Sequence, residues 1–266
     1  MRILITGGGG YIAKSIYAAL KDDYSIVNPN RQELDLTCKH SIKSFFDKHG
    51  YFDAVIHTAI KGGSRLNVDD WSVLDANLSM YYNLCSKERH FNKFINIGSG
   101  AEIYSPDTPY GLSKKAIAKS IESKSNKYIN LRVFAIFDEN ELDTRFIKAN
   151  IKRAINSEPL EVYEDKYMDF FYMEDFIEVI KDVLNSKNQQ KEVNCVYEKK
   201  YKLSEIASMI NKLLSNPNKI KICKNSKIDY IANYNRPIIT NLFGLENAIA
   251  KVYRKLNIWY TIASCF

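Results

Sequence analysis

Arg2-Ile3-Leu4-Ile5-Thr6-Gly7-Gly8-Gly9-Gly10-Tyr11-Ile12-Ala13 is the stretch that decides the fold of this chain. An apolar strand-like run enters a cluster of four glycines and leaves in a helical pattern over residues 12–20. Strand, tight turn and helix start in that order make a phosphate cradle, because the helix N-terminus offers unsatisfied N–H groups and a partial positive charge. Gly7 permits the tight turn, Gly10 lets the backbone approach a pyrophosphate, and Ala13 is small enough for the helix to pack on the strand. Thr6, Gly7, Gly10, Tyr11 and Ile12 are therefore expected to hold a dinucleotide. The alternative is a flexible turn with no ligand.

The pattern repeats outward from this unit. Short apolar runs at residues 2–6, 24–28, 54–57, 94–98 and 130–134 alternate with amphipathic stretches at 12–20, 42–49, 71–86 and 111–121. Strict alternation predicts an α/β fold, a doubly wound parallel sheet of the Rossmann kind whose strands are buried on both faces. Past about residue 138 the rhythm changes. Helices are expected at 145–155, 173–184, 203–214 and 245–256, and strands at 160–163, 169–172, 193–197 and 220–223. Residues 1–137 read as the dinucleotide-binding domain. Residues 138–266 read mainly as a smaller α/β substrate-binding lobe, with segments interleaving back onto the first domain. The apolar tail after Asn257 receives no role.

Composition bounds the function. The chain has 266 residues with 45% hydrophobic content, enough for a large α/β domain with a lobe. No apolar run reaches the ~18 residues a membrane span needs, and the N-terminus reads as a buried strand rather than a signal peptide. A cytoplasmic protein is expected. Cys38, Cys85, Cys195, Cys223 and Cys265 are scattered without metal-like spacing, so reduced thiols and no metal site are expected. The net charge, 38 − 31 = +7, suits a polyanionic small molecule such as a dinucleotide or a nucleotide-sugar. No nucleic-acid recognition motif is present.

After the second strand, Asn28-Pro29-Asn30-Arg31 lacks the carboxylate that would bind an adenosine 2′-hydroxyl, and Arg31 can fork onto a phosphate. NADP(H) is thus favoured and NAD(H) is the alternative. Asn30, Arg31, Asp35 and Leu36 are the candidate contacts on this side. Asp35 could meet the adenine amino group or serve the next helix, for which Thr37 looks like an N-cap.

Tyr110 and Lys114 lie one helical turn apart in Pro109-Tyr110-Gly111-Leu112-Ser113-Lys114. An ammonium beside a phenol favours the phenolate, so the tyrosine can exchange a proton nearer neutral pH. Spacing alone proves little among 18 tyrosines, and Tyr17 with Lys21 is a second match. Position decides between them. Ser99, at the end of the strand-like run Phe94-Ile95-Asn96-Ile97-Gly98, belongs at the carboxyl edge of the sheet where ligands bind. Tyr110 opens the following helix. Tyr17 lies deep in the glycine-loop helix with no such neighbour.

With these residues in place the chain resembles the extended short-chain dehydrogenase/reductase family, through its glycine-rich loop and Ser…Tyr-x-x-x-Lys triad. Val55-Ile56-His57-Thr58-Ala59, Asn77…Asn83-Leu84, Leu131-Arg132-Val133-Phe134 and Met168-Asp169-Phe170-Phe171-Tyr172-Met173-Glu174-Asp175 extend the likeness. Residues 31–36 and 59–63 look most like GDP-L-fucose synthases and related 4-keto-sugar reductases. The resemblance implies that Thr58, Ala59, Ile60, Asn77, Val133 and Phe134 join Tyr110 and Lys114 around the cofactor. It also implies that Lys61, Ser99, Gly100, Ala101, Tyr110, Phe134, Phe146 and Arg153 line the substrate site. Arg153 as an ordinary surface residue is the alternative.

Ser99, Tyr110 and Lys114 would then reduce a keto carbon of a nucleotide-sugar, in surface-polysaccharide precursor synthesis. Those synthases also epimerise, with a cysteine two residues past the serine and a later histidine. Here the cysteine position is Ala101, and Leu142-Asp143-Thr144-Arg145 contains no histidine. Glu102 reads as a solvated turn residue, with a stray acid as the alternative. Asp138, Ala135 and Met168 replace a usual glycine, asparagine and arginine, so the nucleotide pocket is atypical. Reduction without epimerisation is expected, with a homodimer built through the helices at 71–86 and 111–121. The alternatives are a nucleotide-sugar 4-epimerase or dehydrogenase with tightly held NAD, and a non-catalytic dinucleotide-binding regulator.

Overall fold

The computed structural model describes residues 1–64, 67–186, 190–235 and 242–263; Cys265 and the end of the apolar tail lie outside them. The first half runs β1 (Arg2–Thr6), α1 (Tyr11–Leu20), β2 (Ser25–Val27), α2 (Lys39–His49), β3 (Phe52–His57), α3 (Ser72–Cys85), β4 (Phe91–Ser99), α4 (Ala101–Tyr104), α5 (Pro109–Glu122) and β5 (Tyr128–Val133). The second half runs β6 (Ile136–Phe137), α6 (Phe146–Ile155), β7 (Leu160–Asp165), β8 (Phe171–Tyr172), α7 (Met173–Asn185), β9 (Glu192–Cys195), α8 (Leu203–Asn211), β10 (Ile220–Asn225) and α9 (Leu245–Ala263). Every expected element is present, with ends shifted by a few residues. The four-residue α4 and two-residue β6 were missed because neither is long enough to show a period. Thr37 is not the N-cap of α2; Cys38 holds that position.

Six strands form one sheet in the order β2-β1-β3-β4-β5-β9. The pairings of β1 with β2 and β3, of β3 with β4 and of β4 with β5 are all parallel. Strand order reverses between β1 and β3, so the crevice beyond Thr6 and His57, which pair across that boundary, is the switch point where such sheets take ligands. Near-continuous apolar strands are what burial on both faces demands. Ile3, Leu4 and Ile5 on β1, Val55 and Ile56 on β3 and Phe94 and Ile95 on β4 are fully buried.

The chain divides into two compact units, Met1–Val133 with Ile180–Asn194, and Phe134–Val179 with Cys195–Phe266. In the first, Leu4, Phe46, Val55, Tyr81, Phe94, Ile117 and Tyr128 share one core. Lys93 Nζ donates to the carbonyls of Leu184 and Ser186, at 3.0 Å each, and to that of Val183, closing the end of α7. Cys38, Cys85 and Cys223 carry free thiols. Among the described residues no helix is long and apolar enough to cross a membrane.

The second unit packs α6, α8 and α9 around Ile147, Ile151, Leu160, Ile206, Ile249 and Val252. The acidic residues of its 168–175 motif act as anchors there. Asp169 accepts from Lys200 Nζ (2.8 and 3.0 Å) and from the Ala232 amide (2.7 Å). Asp175 accepts from the amides of Phe243 (2.8 Å) and Gly244 (3.2 Å) and from the Tyr197 hydroxyl. Both carboxylates tie loops that carry no regular backbone ladder of their own.

Glu141 in this unit is buried. Its Oε2 lies 3.7 Å from Arg145 Nε, and its Oε1 has no hydrogen-bond partner. Burial pushes its carboxyl up to about 8, against the pull of Arg145. A carboxyl with a raised folded pKa keeps its proton while the unfolded chain gives it up, so stability falls as pH rises from about 4.5 to about 8. Urea unfolding of Glu141→Gln should therefore show a gain over the natural chain at pH 8 relative to pH 5, of roughly 2–4 kcal/mol. An equal difference at both pH values would mean that Glu141 is already ionised in the fold.

Candidate active site

The glycine loop is shaped for close approach. Gly7 has φ 71°, and a Cβ there would lie 2.8 Å from Ala59 Cα. A Cβ at Gly8 would lie 2.5 Å from the Asn28 carbonyl, and the Gly8 amide donates to Pro29 O at 2.9 Å. Gly9 faces open space, and the Gly10 amide closes the turn onto Gly7 O at 2.8 Å. Gly10 is the N-cap of α1, whose first turn holds no acidic residue and no side-chain cap, while Ala13 is fully buried behind it. An open glycine cradle under an uncapped helix start fits the pyrophosphate of a dinucleotide. Sequence reasoning gave the turn to Gly7 but missed that Gly8 is needed where the loop meets β2.

The strand ends beside this loop are tied together. Thr58 Oγ1 donates to Thr6 O at 2.7 Å, and Thr6 Oγ1 pairs with His57 Nδ1 at 2.9 Å. Burial, assisted by the Lys114 charge, lowers His57 to about 3, so it is a neutral hydrogen-bonding group.

Past β2, Asn30 Oδ1 accepts from the amides of Gln32 (2.8 Å) and Glu33 (3.2 Å), and the Glu33 carboxylate returns to the Asn30 amide at 2.8 Å. Arg31 on this turn is exposed. The turn therefore carries a carboxylate after all, from Glu33, beyond the Asn28–Arg31 stretch that lacks one. Asp35 accepts from the amide (2.9 Å) and hydroxyl (2.7 Å) of Thr37, which holds its carboxyl below the usual range. Leu36 is buried, and Asn83 Nδ2 on α3 donates to its carbonyl at 3.0 Å.

Tyr110 is set by the start of α5. Thr108 caps the helix by accepting from the Gly111 amide at 3.1 Å, and Pro109 follows at the position where its missing N–H costs nothing. Gly111 is required, since a Cβ there would overlap the Ser105 carbonyl at 1.8 Å. Lys114, one turn on, points inward. It is 6% exposed, its Nζ donates to Ile97 O at 2.6 Å and lies 5.8 Å from the centre of the Tyr110 ring. Ser99, two residues beyond Ile97, is buried, and its Oγ accepts from the Ala101 amide at 3.1 Å. Gly63, with φ 75°, lies against the Tyr110 ring, where a Cβ would approach Cε2 to 2.6 Å. The Asp69 carboxylate holds that loop through the Gly63 amide at 2.8 Å.

Asn77 braces the same loop. It accepts from the Lys61 amide (2.9 Å), donates to Lys61 O (3.1 Å), and reaches Ser113 Oγ (3.0 Å) on α5. Lys61 itself is exposed, with Nζ on Ser72 Oγ at 2.6 Å, and Ile60 is exposed. Tyr17 is exposed on α1, as a surface residue. Gly100, Ala101 and Val133 lie at the ends of β4 and β5, where the Gly100 amide donates to Val133 O at 2.8 Å.

Phe134, Phe146 and Arg153 belong to the second unit. Phe134 is buried with its ring 5.2 Å edge-on from Tyr230, and Phe146 opens α6 with its ring 5.9 Å from Phe170. The Arg153 guanidinium is ion-paired with Glu161 (2.6 Å) and Glu158 (3.5 Å), the arrangement of a surface residue.

Residues 3–196 match the NAD dependent epimerase/dehydratase family. The chain belongs to it. This is the extended branch of the short-chain dehydrogenases/reductases, and the chain is an NAD(P)-dependent enzyme of that family. Among its relatives, the GDP-L-colitose synthase of Yersinia pseudotuberculosis is 28% identical over 257 residues, with 80% of this chain and 82% of that protein covered. The CDP-abequose synthase of the same organism is 26% identical over 242 residues, covering 81% and 86%. The GDP-mannoheptose C4 reductase of Campylobacter jejuni, solved with NADP bound, shares the fold at a TM-score of 0.76 and 17% identity over 98% of both chains.

A second residue, after Thr37, departs from its sequence-based expectation. Glu102 is not a solvated turn residue. It is 5% exposed beneath Ser99, accepting from the Ser99 amide and from Arg132 Nε at 2.8 Å each. Nothing in the local sequence distinguishes it from an exposed acid; its partner Arg132 is thirty residues away on β5. Gly7→Ala should weaken dinucleotide binding at least tenfold by calorimetry, with an unchanged circular dichroism spectrum, since φ 71° and Ala59 both oppose a Cβ. Unaltered affinity would detach the loop from cofactor binding.

Proposed function

We propose that this chain reduces the C4 keto group of a nucleotide-activated sugar, a 4-keto-6-deoxy sugar or heptose, with NADPH and without epimerising it. The observation that carries this is the buried Lys114 ammonium at the end of β4, 5.8 Å from the Tyr110 ring and anchored two residues before Ser99. When bound, the nicotinamide supplies the hydride. Tyr110 gives its phenolic proton to the alkoxide that forms on the sugar. Ser99 Oγ accepts from the Ala101 amide, which leaves its hydroxyl proton to donate to the same oxygen. Lys114 places a cation where the phenolate develops and holds the nicotinamide ribose.

Ala101 and the absence of histidine from residues 142–145 support reduction alone, because the cysteine and histidine that would move a carbon-bound proton are missing from those positions. Relatives named for GDP- and CDP-linked sugars, and a fold-mate named as a C4 reductase, support the substrate class. Exposed Arg31 supports NADPH, and a GDP-linked sugar in surface-polysaccharide precursor synthesis is the substrate we favour. By analogy with the family we assign a cytoplasmic homodimer, joined through α3 and α5.

Purified protein should oxidise NADPH in the presence of a GDP- or CDP-linked 4-keto-6-deoxy sugar, and NMR of the product should show a new C4 hydroxyl with C3 and C5 unchanged. Tyr110→Phe should lower kcat by about 10²–10⁴. Arg31→Ala should raise KM for NADPH and leave that for NADH unchanged. Stoichiometric NAD released on heating, with no NADPH oxidation for any 4-keto sugar, would replace this function by a 4-epimerase.

A further inference from the structure

Glu102 takes no part in the chemistry above, yet it is among the deepest charges of the first unit. Its Oε1 accepts from the Ser99 amide and its Oε2 from Arg132 Nε, both at 2.8 Å, and Asn130 Nδ2 lies 3.3 and 3.4 Å from the two oxygens. The sheet is cut to admit it. A Cβ at Gly98 would stand 2.5 Å from Glu102 Oε1 and equally close to Asn130 Oδ1. Asn96 Nδ2 fixes that same Asn130 oxygen at 2.7 Å. Arg132 continues to β9, donating to Asn194 Oδ1 at 2.9 Å and to both oxygens of Glu192.

Burial raises the Glu102 carboxyl, while Arg132 and the hydrogen bonds from Ser99 and Asn130 favour its charged form, and Lys114 is a second buried cation that feels it. The groups facing Lys114 are Glu102 from α4, neutral His57 from β3 and the Tyr110 phenol on α5. Those facing Glu102 are Arg132 from β5 and Lys114 from α5, with Glu192 of β9 on the far side of Arg132.

We propose that Glu102 is a positioning residue of the reductase site, one that fixes Ser99 by its backbone and holds Lys114 in its cationic form. Burial lowers Lys114, and Glu102 is the opposing charge that holds it at about 8. Without that charge the ammonium loses its proton within the working pH range, and the cation beside Tyr110 disappears. The inference rests on Ser99 and Lys114 being catalytic, but its first test needs no substrate.

Protein labelled with 13C at lysine Cε, free of cofactor and substrate, gives the Lys114 titration directly, with the signal identified by its loss in Lys114→Met. The natural midpoint should lie near 8. Glu102→Gln keeps the acceptor for the Ser99 amide and removes the charge, so the midpoint should fall by about one unit or more. Glu102→Asp keeps the charge but withdraws it by one methylene. Its midpoint should stay near the natural one, while kcat for a 4-keto sugar falls by about tenfold or more at unchanged KM for NADPH, as Ser99 shifts. Should Glu102→Gln fail to fold, Glu102→Asp still carries the kcat test, which reads the positioning of Ser99. An unmoved midpoint in the charge-removing variant overturns the charge role, and an unchanged kcat in Glu102→Asp overturns the positioning of Ser99. Failure to find any substrate would leave the titration result standing and count only against the function proposed above.

Discussion

A lysine ammonium enclosed at the carboxyl end of a parallel sheet constrains much of the first unit. Lys114 is 6% exposed, and its one hydrogen bond to Ile97 O cannot replace the water it has lost. Removing a cation from water costs several kcal/mol even after the surroundings relax. The neighbourhood reflects that cost. His57 is held neutral and adds no second positive charge, and Glu102 brings the charge of opposite sign. Glu102 then needs Arg132, Arg132 needs Glu192 and Asn194, and the carboxylate needs Gly98 for space. A chain of requirements that begins on α5 thus passes through β4 and β5 and ends on β9.

This chain of partners also explains features that look unrelated in the sequence. Asn96 and Asn130 stand opposite each other on β4 and β5, and both are buried polar residues in strands otherwise filled by Phe94, Ile95, Ile129 and Leu131. Two amides in such strands would weaken the core if unpaired. They are paired, Asn96 to Asn130 and Asn130 to Glu102, and they mark where the apolar sheet changes into a polar site. On the other side of α5 the same holds. Asn77 satisfies both backbone groups of Lys61 and still reaches Ser113, so one side chain joins the loop over Tyr110 to the helix that bears it.

What the sequence reveals depends on how local the cause is. The glycine loop and the strand–helix alternation are written within a few residues, and each is found where the sequence pattern places it. The Thr108-Pro109 helix start is equally local, but the sequence reading begins that helix at residue 111 and passes over the cap. Tyr110 and Lys114 could be preferred to Tyr17 and Lys21 because the helix that follows the strand bearing Ser99 starts at the carboxyl edge of the sheet, whereas Tyr17 is exposed on α1. Glu102 was misread for the opposite reason. Gly-Ala-Glu after a strand has the composition of a solvent turn, and only the approach of Arg132 from β5 changes its role. Gly8 was passed over because its neighbour is the Asn28–Pro29 backbone, twenty residues on. The Glu33 carboxylate escaped because a side chain that folds back on its own turn leaves no periodic trace.

That Glu33 turn bears on cofactor choice. A carboxylate near an adenosine ribose accepts from hydroxyl groups and repels a 2′-phosphate, whereas a guanidinium attracts it. In this turn the two are two residues apart, but they are not equally placed to act. Glu33 is committed to the Asn30 amide at 2.8 Å, a bond that closes the turn, so presenting the carboxylate to a ribose would cost the turn its own closure. Arg31 is exposed and interacts with Asp35 through charge alone. A guanidinium on a surface turn can move onto a phosphate without breaking a buried contact, and bidentate pairing with a dianion is stronger than an exposed interaction with one carboxylate. The asymmetry between a committed acid and an uncommitted base, rather than the absence of an acid, is what the proposal of NADPH rests on at this turn.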